Sequence, residues 1–172
     1  MKPFWGLILQ RDISPSRRRR NRPEQTALVF LSLLLIIAAG TACGGKQQIR
    51  MAIESSKFTN PDDTGSPLPV VIRIYQLREK DKMEKAVFMS LWKSDQEILG
   101  EDLLERREVT LLPDSTMDLK IEADMEKGTK YIGIMALFRK PQGDNWRQIL
   151  PVKEAKSVRI TAHERSIKVT KK

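Results

Sequence analysis

The sequence predicts a mainly β fold, a two-sheet β-sandwich of about eight strands with one added helix. Three observations carry that prediction. Apolar and polar residues alternate along much of the chain, two stretches are almost continuously apolar, and one segment places its apolar residues at helical spacing. In QQIRMAIES, Ile49, Met51 and Ile53 alternate with charged or small residues, the pattern of a strand with one buried face. VVIRIYQL, residues 70–77, and KYIGIMALF, residues 130–138, are the two apolar runs, as strands covered on both faces would be. Between them, DKMEKAVFMSLW sets Met83, Val87, Phe88, Leu91 and Trp92 at helical spacing. Asp81 and Glu84 stand where they can cap a first turn, and Gly100 ends whatever follows. The stripe around Phe88 and Trp92 reads first as burial against a sheet, with Trp92 buried, and as a docking surface if it lies outside the sandwich.

Further strands are expected at residues 106–112 and 145–150. Met117, Leu119, Ile121 and Ala123 alternate in TMDLKIEAD, as do Val158 with Ile160 and Ile167 with Val169 near the end. Short turns rich in Pro, Asp, Gly and Asn, such as PDS and PQGDN, join them. Eight short strands and one helix in a single domain fit two packed sheets, with a barrel as the main alternative.

Residues 1–42 read as a separate segment. ALVFLSLLLIIAA, residues 27–39, is an apolar run broken only by Ser32, preceded by SRRRRNRP and followed by GTAC. A charged region, an apolar region and small residues in that order form a secretory signal, and the run is shorter than the roughly 20 apolar residues that span a bilayer. The basic run superficially suggests a twin-arginine signal, but NRPEQ stands where aliphatic residues should follow. Cys43, the only cysteine, closes the signal behind Gly40, Thr41 and Ala42. This resembles a bacterial lipobox, whose cysteine accepts diacylglycerol and becomes the first residue after cleavage. Gly40 replaces the usual aliphatic residue. Gly44 stands where an aspartate would commonly retain a lipoprotein in the inner membrane, so the outer membrane is the expected destination. The expected organisation is a signal peptide over 1–42 and one periplasmic β-sandwich domain over 43–172.

The leader also changes the reading of charge. The chain's net charge is +9, but the leader holds Lys2, Arg11, Arg17 to Arg20 and Arg22 against only Asp12 and Glu24, leaving +4 on the remainder. A basicity that suggests nucleic acid therefore resides largely in a segment expected to be removed.

No catalytic or metal constellation emerges. His163 is the only histidine and one cysteine forms neither an internal disulfide nor a cysteine metal site, so no cofactor or metal is expected. Ser55, Ser56 and Ser90 lie in no nucleophile elbow, and PDDTG lacks the ligand spacing of a calcium loop. Trp146 beside Arg147 and Phe138 beside Arg139 could form an aromatic and basic surface. Strand alternation instead turns each aromatic inward and its arginine to water. A periplasmic hydrolase or ligand-binding lipoprotein on the same sandwich remains the alternative function, and a nucleic-acid binder is a more distant one.

One stretch asks for a job. FTNPDDTGSPLP, residues 58–69, feeds directly into a central strand, yet a chain reversal between strands needs only about 2–5 residues. NPDDTGSPLPVVIRIYQL, the FMSLW helix with Asp95 and ILG after it, LLP at 111–113, YIGIMALFR at 131–139 and NWRQILPV at 145–152 follow a lipoprotein signal. In order and spacing they resemble the outer-membrane lipoprotein of type VI secretion systems, the TssJ (SciN/VasD) family. The resemblance spans essentially the whole chain from Cys43 onward. It implies a transthyretin-like β-sandwich with an added helix, held by acylated Cys43 on the periplasmic face of the outer membrane. It also implies a non-enzymatic scaffold without cofactor, nucleic acid or small-molecule substrate. The implied partners are the lipid bilayer, the periplasmic C-terminal domain of TssM, and TssL through the same trans-envelope complex. In that family the loop between the first two strands contributes to the TssM contact. Here it matches Asn60, Pro61, Asp62, Asp63, Thr64, Gly65, Ser66 and Pro67, with the prolines limiting the entropy lost on binding.

Overall fold

The structure is a computed structural model and describes residues 45–171. Residues 1–42, the expected signal peptide, and Cys43 lie outside the described residues. In chain order the elements are β1 (Lys46–Ser55), β2 (Val70–Leu77), α1 (Asp81–Lys85), α2 (Phe88–Leu99), β3 (Leu103–Leu111), β4 (Thr116–Asp124), β5 (Tyr131–Ala136), β6 (Arg147–Pro151), β7 (Ser157–Ala162) and β8 (Ile167–Lys171). Short 3-10 turns at Gly100–Asp102 and Val152–Glu154 complete the order.

The strands form two four-stranded sheets, β4-β1-β7-β8 and β3-β2-β5-β6. Only the β1/β7 pair is parallel, so the eight expected strands form a sandwich rather than a barrel. Ile49, Met51, Ile53, Val158 and Ile160 of the first sheet are buried together with Ile72, Ile74, Ile132 and Ile134 of the second. The period-2 residues are thus the inner faces of the sandwich.

A third layer explains the two continuous apolar runs. The opposite face of β2 and β5 is covered by the helices, so Tyr75, Leu77 and Met135 are buried as fully as the inward residues. Met83 of α1 packs over Gly133, where even an added Cβ would lie 2.3 Å from its sulfur. Glycine in the middle of β5 is what allows the helix this close to the sheet.

The helical segment departs from expectation in three ways. It is two helices, because Ala86 and Val87 are extended, with ψ of 142° and 152°. The Arg147 guanidinium reaches across and donates to the Met83 carbonyl at 2.9 Å and to that of Ala86, taking up carbonyls the broken helix leaves open. Arg147 is therefore drawn into the layer rather than turned to water, and it stacks 4.5 Å from the Trp146 ring. Asp81 makes no side-chain cap, and Glu84 pairs with Lys80 instead. Trp92, expected to be buried, is 44% exposed. Phe88, one turn before it on the stripe, takes the inward place and meets Trp146 edge-on at 5.3 Å.

α2 is fixed to the second sheet by Asp95. This carboxylate accepts from the Tyr75 hydroxyl at 3.0 Å and the Arg73 guanidinium at 3.3 Å. Arg106 Nη1 donates to both of its oxygens, at 2.9 and 3.0 Å. Burial pushes the Tyr75 hydroxyl well above its ordinary pKa and the neighbouring Asp95 charge acts in the same direction, so the group remains a donor. Two strand boundaries also shift. β3 occupies 103–111 rather than 106–112, leaving Leu112 outside it, and β6 occupies 147–151 rather than 145–150, so Trp146 precedes its strand.

Candidate functional site

The strand directions gather four connections at one end of the sandwich, that of the β1–β2 loop, the β3–β4 and β7–β8 turns and the β5–β6 loop. The start of β1 lies at the opposite end, where Lys46 pairs with Asp124.

The β1–β2 loop is pinned at its base. Thr59 Oγ1 lies 3.1 Å from the Ala162 carbonyl and 2.7 Å from that of His163, donating toward the β7–β8 turn. Asn60 is 6% exposed and adopts the left-handed conformation at φ 49°, which asparagine tolerates better than most residues. Its amide nitrogen Nδ2 donates to the Pro69 carbonyl at 2.8 Å, closing the loop on itself. Its Oδ1 accepts from the Arg139 amide at 2.8 Å, tying the loop to the β5–β6 connection. Asn60 is committed to holding the loop, and its side chain faces inward.

Beyond Pro61 the chain forms a compact polar turn around Asp62. One oxygen, Oδ1, accepts from the Thr64 amide at 2.8 Å, the Thr64 hydroxyl at 2.7 Å and the Ser66 amide at 2.9 Å. The Asp62 amide donates to the Ser66 carbonyl at 2.9 Å, and Gly65 supplies the positive φ of 87° that the reversal requires. The Thr64 hydroxyl bond, followed by the Ser66 amide bond, holds the Asp62 carboxyl below its ordinary pKa. Asp63 is lowered too, first by its hydrogen bond to Lys140 at 2.6 Å and then by the nearby Lys140 and Arg139 charges. Asp63, Thr64, Gly65, Ser66 and Pro67 are exposed, while Pro61 and Asp62 are half-buried. Of the eight residues singled out from the sequence, five therefore form the accessible tip, two its shoulder, and Asn60 its root.

Two further residues at this end escaped the sequence reading. Phe58 is 55% exposed immediately before the pinned Thr59, and Leu112 is 60% exposed immediately after β3. For Phe58 the available signal was an aromatic residue inside an otherwise polar loop. Leu112 gives none, because it continues an apolar pair and falls at the end of the expected strand 106–112. His163 sits exposed in the β7–β8 turn. Among the described residues no three of His, Cys, Asp and Glu converge as metal ligands.

A two-sheet β-sandwich with helices laid on one sheet, and a pinned, proline-bounded loop at the far end of its first strand, is the class these observations define. The chain belongs to the family described as Type VI secretion lipoprotein, VasD, EvfM, TssJ, whose model matches residues 47–172. Among solved structures it is similar to the T6SS lipoprotein TssJ1 from Pseudomonas aeruginosa, at 24% identity and a TM-score of 0.66, covering 74% of this chain and 97% of that one. Serratia marcescens Lip, a membrane bound component of the Type VI Secretion System, matches with the same identity and TM-score over 74% and 98%. A chain of a Type VI membrane complex matches at 25% identity and a TM-score of 0.64, over 72% and 98%. No curated protein matches the chain.

Proposed function

We propose that the protein is a lipid-anchored component of the type VI secretion membrane complex, held at the periplasmic face of the outer membrane through acylated Cys43. In this reading residues 1–42 are removed on export. The β1–β2 loop binds the periplasmic C-terminal domain of TssM and so tethers the assembly that includes TssL. The observation that carries the reading is the loop itself, a tip ordered by one aspartate and rooted in buried Thr59 and Asn60, with its outer residues exposed. A surface whose shape is set before binding loses less entropy when a partner arrives. The geometry also suits a tether. Cys43 lies three residues before Lys46, the first residue of β1, and ten strand residues carry the chain about 30 Å to the loop end. A single acyl chain binds a bilayer only marginally, so stable retention requires the several chains that the family attaches.

The test replaces Asp62–Ser66 by a short Gly-Ser link, keeping Asn60 and Pro69. Loop-closure entropy varies only logarithmically with length, so the melting temperature should stay within a few degrees. Affinity for the TssM domain, measured by calorimetry, should fall about tenfold or more, corresponding to about 1.4 kcal/mol. Unchanged affinity in the folded variant would return the loop to a solvated connection. For the anchor, Cys43→Ser should leave the membrane fraction or persist as an unprocessed precursor. A mature chain at the outer membrane with an unmodified Cys43, seen by mass spectrometry, would refute acylation there.

A further inference from the structure

The polar tip has few free groups to offer a partner. Asp62 Oδ1 already accepts three hydrogen bonds within its own turn, and Asp63 is paired with Arg139 at 2.9 Å and Lys140 at 2.6 Å. Both carboxylates are thus already partly engaged, and their charge is partly met within the protein, which reduces what a partner gains by pairing with them. The same end presents two exposed apolar side chains, Leu112 and Phe58, the latter with Lys57 Nζ 5.9 Å from its ring centre. Their segments are held side by side. The Ser55 hydroxyl donates to the Leu112 carbonyl at 2.6 Å, and the Asp114 amide to the Ser56 carbonyl at 3.3 Å. Phe58 also borders a groove of about 350 Å³ that runs toward the β7–β8 turn, past Ser56, Gln142, His163 and Arg165. An aromatic anchor beside a groove, within a rim of polar groups, is the arrangement in which a few residues dominate binding.

We infer that Phe58 and Leu112 are the principal anchors of the loop end, each entering an apolar site on the partner, that the polar groove beside Phe58 receives a polar side chain of the partner, and that the Asp62 turn orients the contact. This rests on the reading of the loop end as the TssM-binding surface and assigns its energetics. The occupant is a protein surface rather than the anchoring bilayer, because β1 sets this end about 30 Å from its own first residue, Lys46, which follows the proposed anchor by only three positions in the sequence.

The test uses the full-length chain in detergent and the periplasmic domain of TssM, with affinity read by calorimetry and folding by thermal melting. Phe58→Ser and Leu112→Ser should each weaken binding about 30-fold and leave the melt close to the parent's, since both side chains face water. Phe58→Leu, which keeps most of the apolar volume, should bind within about threefold of the parent. If both serine variants bind like the parent while the Asp62–Ser66 replacement weakens binding, the inference falls and the functional reading stands. If all three bind like the parent, the loop end is not the docking surface and both fall. Should Phe58→Ser instead abolish self-association in sedimentation, or binding to phosphatidylethanolamine and phosphatidylglycerol vesicles, with TssM affinity unchanged, the patch belongs to a second copy or to lipid and the inference is overturned.

Discussion

Two aspartates do the same work in different places. Asp62 gathers three donors in the exposed loop, and Asp95 gathers Tyr75, Arg73 and Arg106 beneath α2. Every partner of Asp62 lies within four residues of it, so the bonds shape a turn and little else. Apart from the adjacent Gln96 amide, the partners of Asp95 are side chains 11 to 22 residues away on two strands, and the residue is 4% exposed. Breaking the first loosens a surface loop. Breaking the second leaves Arg73 and Arg106 under a helix with the half-exposed Glu108 as their shared partner, where water screens them poorly. Burial and sequence separation, rather than the number of bonds, decide what each aspartate contributes.

The largest effect should therefore follow Asp95→Ala. Removing one partner of a buried ion network costs about 3–5 kcal/mol, and since Arg106 keeps some access to solvent the lower figure applies. Chemical denaturation should show a loss of about 3 kcal/mol. A variant within about 1 kcal/mol of the parent would mean that apolar packing alone seats the helix. Gly133→Ala tests the same layer from beneath. Its new Cβ would press on the Met83 sulfur, and overpacking of this kind should cost about 1–3 kcal/mol. Asp118→Asn, on the uncovered outer face of the first sheet, should stay within about 0.5 kcal/mol.

Trp92→Ala belongs between Gly133→Ala and that surface control. With nearly half its surface in water, its truncation should cost about 1 kcal/mol rather than the several expected of a buried tryptophan, read from the denaturation midpoint. The smallest effect concerns pH at Asp62. Its folded-state pKa lies below the usual 3.8, so the stabilisation it lends the turn is present above that value and disappears as the pH falls through the lowered one. Amide exchange at Thr64 and Ser66 should accelerate, beyond its ordinary pH dependence, in that acid window while the β1 and β2 amides stay protected. Asp62→Asn should remove the transition. Loss of protection across the whole domain at the same pH would show that the loop and core are coupled more tightly than the exposed position of Asp62 implies.

The sequence by itself determined the sandwich. Alternation at Ile49, Met51 and Ile53 marks a strand covered on one face, and the unbroken runs of β2 and β5 mark strands covered on both. It also determined the loop, because prolines, Asp62 and Gly65 act through neighbours a few residues away and a local code is readable locally. Only the tertiary structure decided what lies over the second sheet and how. The break at Ala86 and Val87 is set by Arg147, which arrives some 60 residues later, and Phe88 rather than Trp92 turns inward because Trp146 waits beneath it. Helical spacing gives a stripe but not which half of it meets the sheet. Leu112 belonged to the same class of question. Its exposure depends on where β3 stops pairing with β2, and the last paired residue, Leu111 against Val70, is fixed by a partner strand more than 30 residues away. Local propensity and periodicity act along the chain, whereas burial is a property of what the rest of the chain brings alongside.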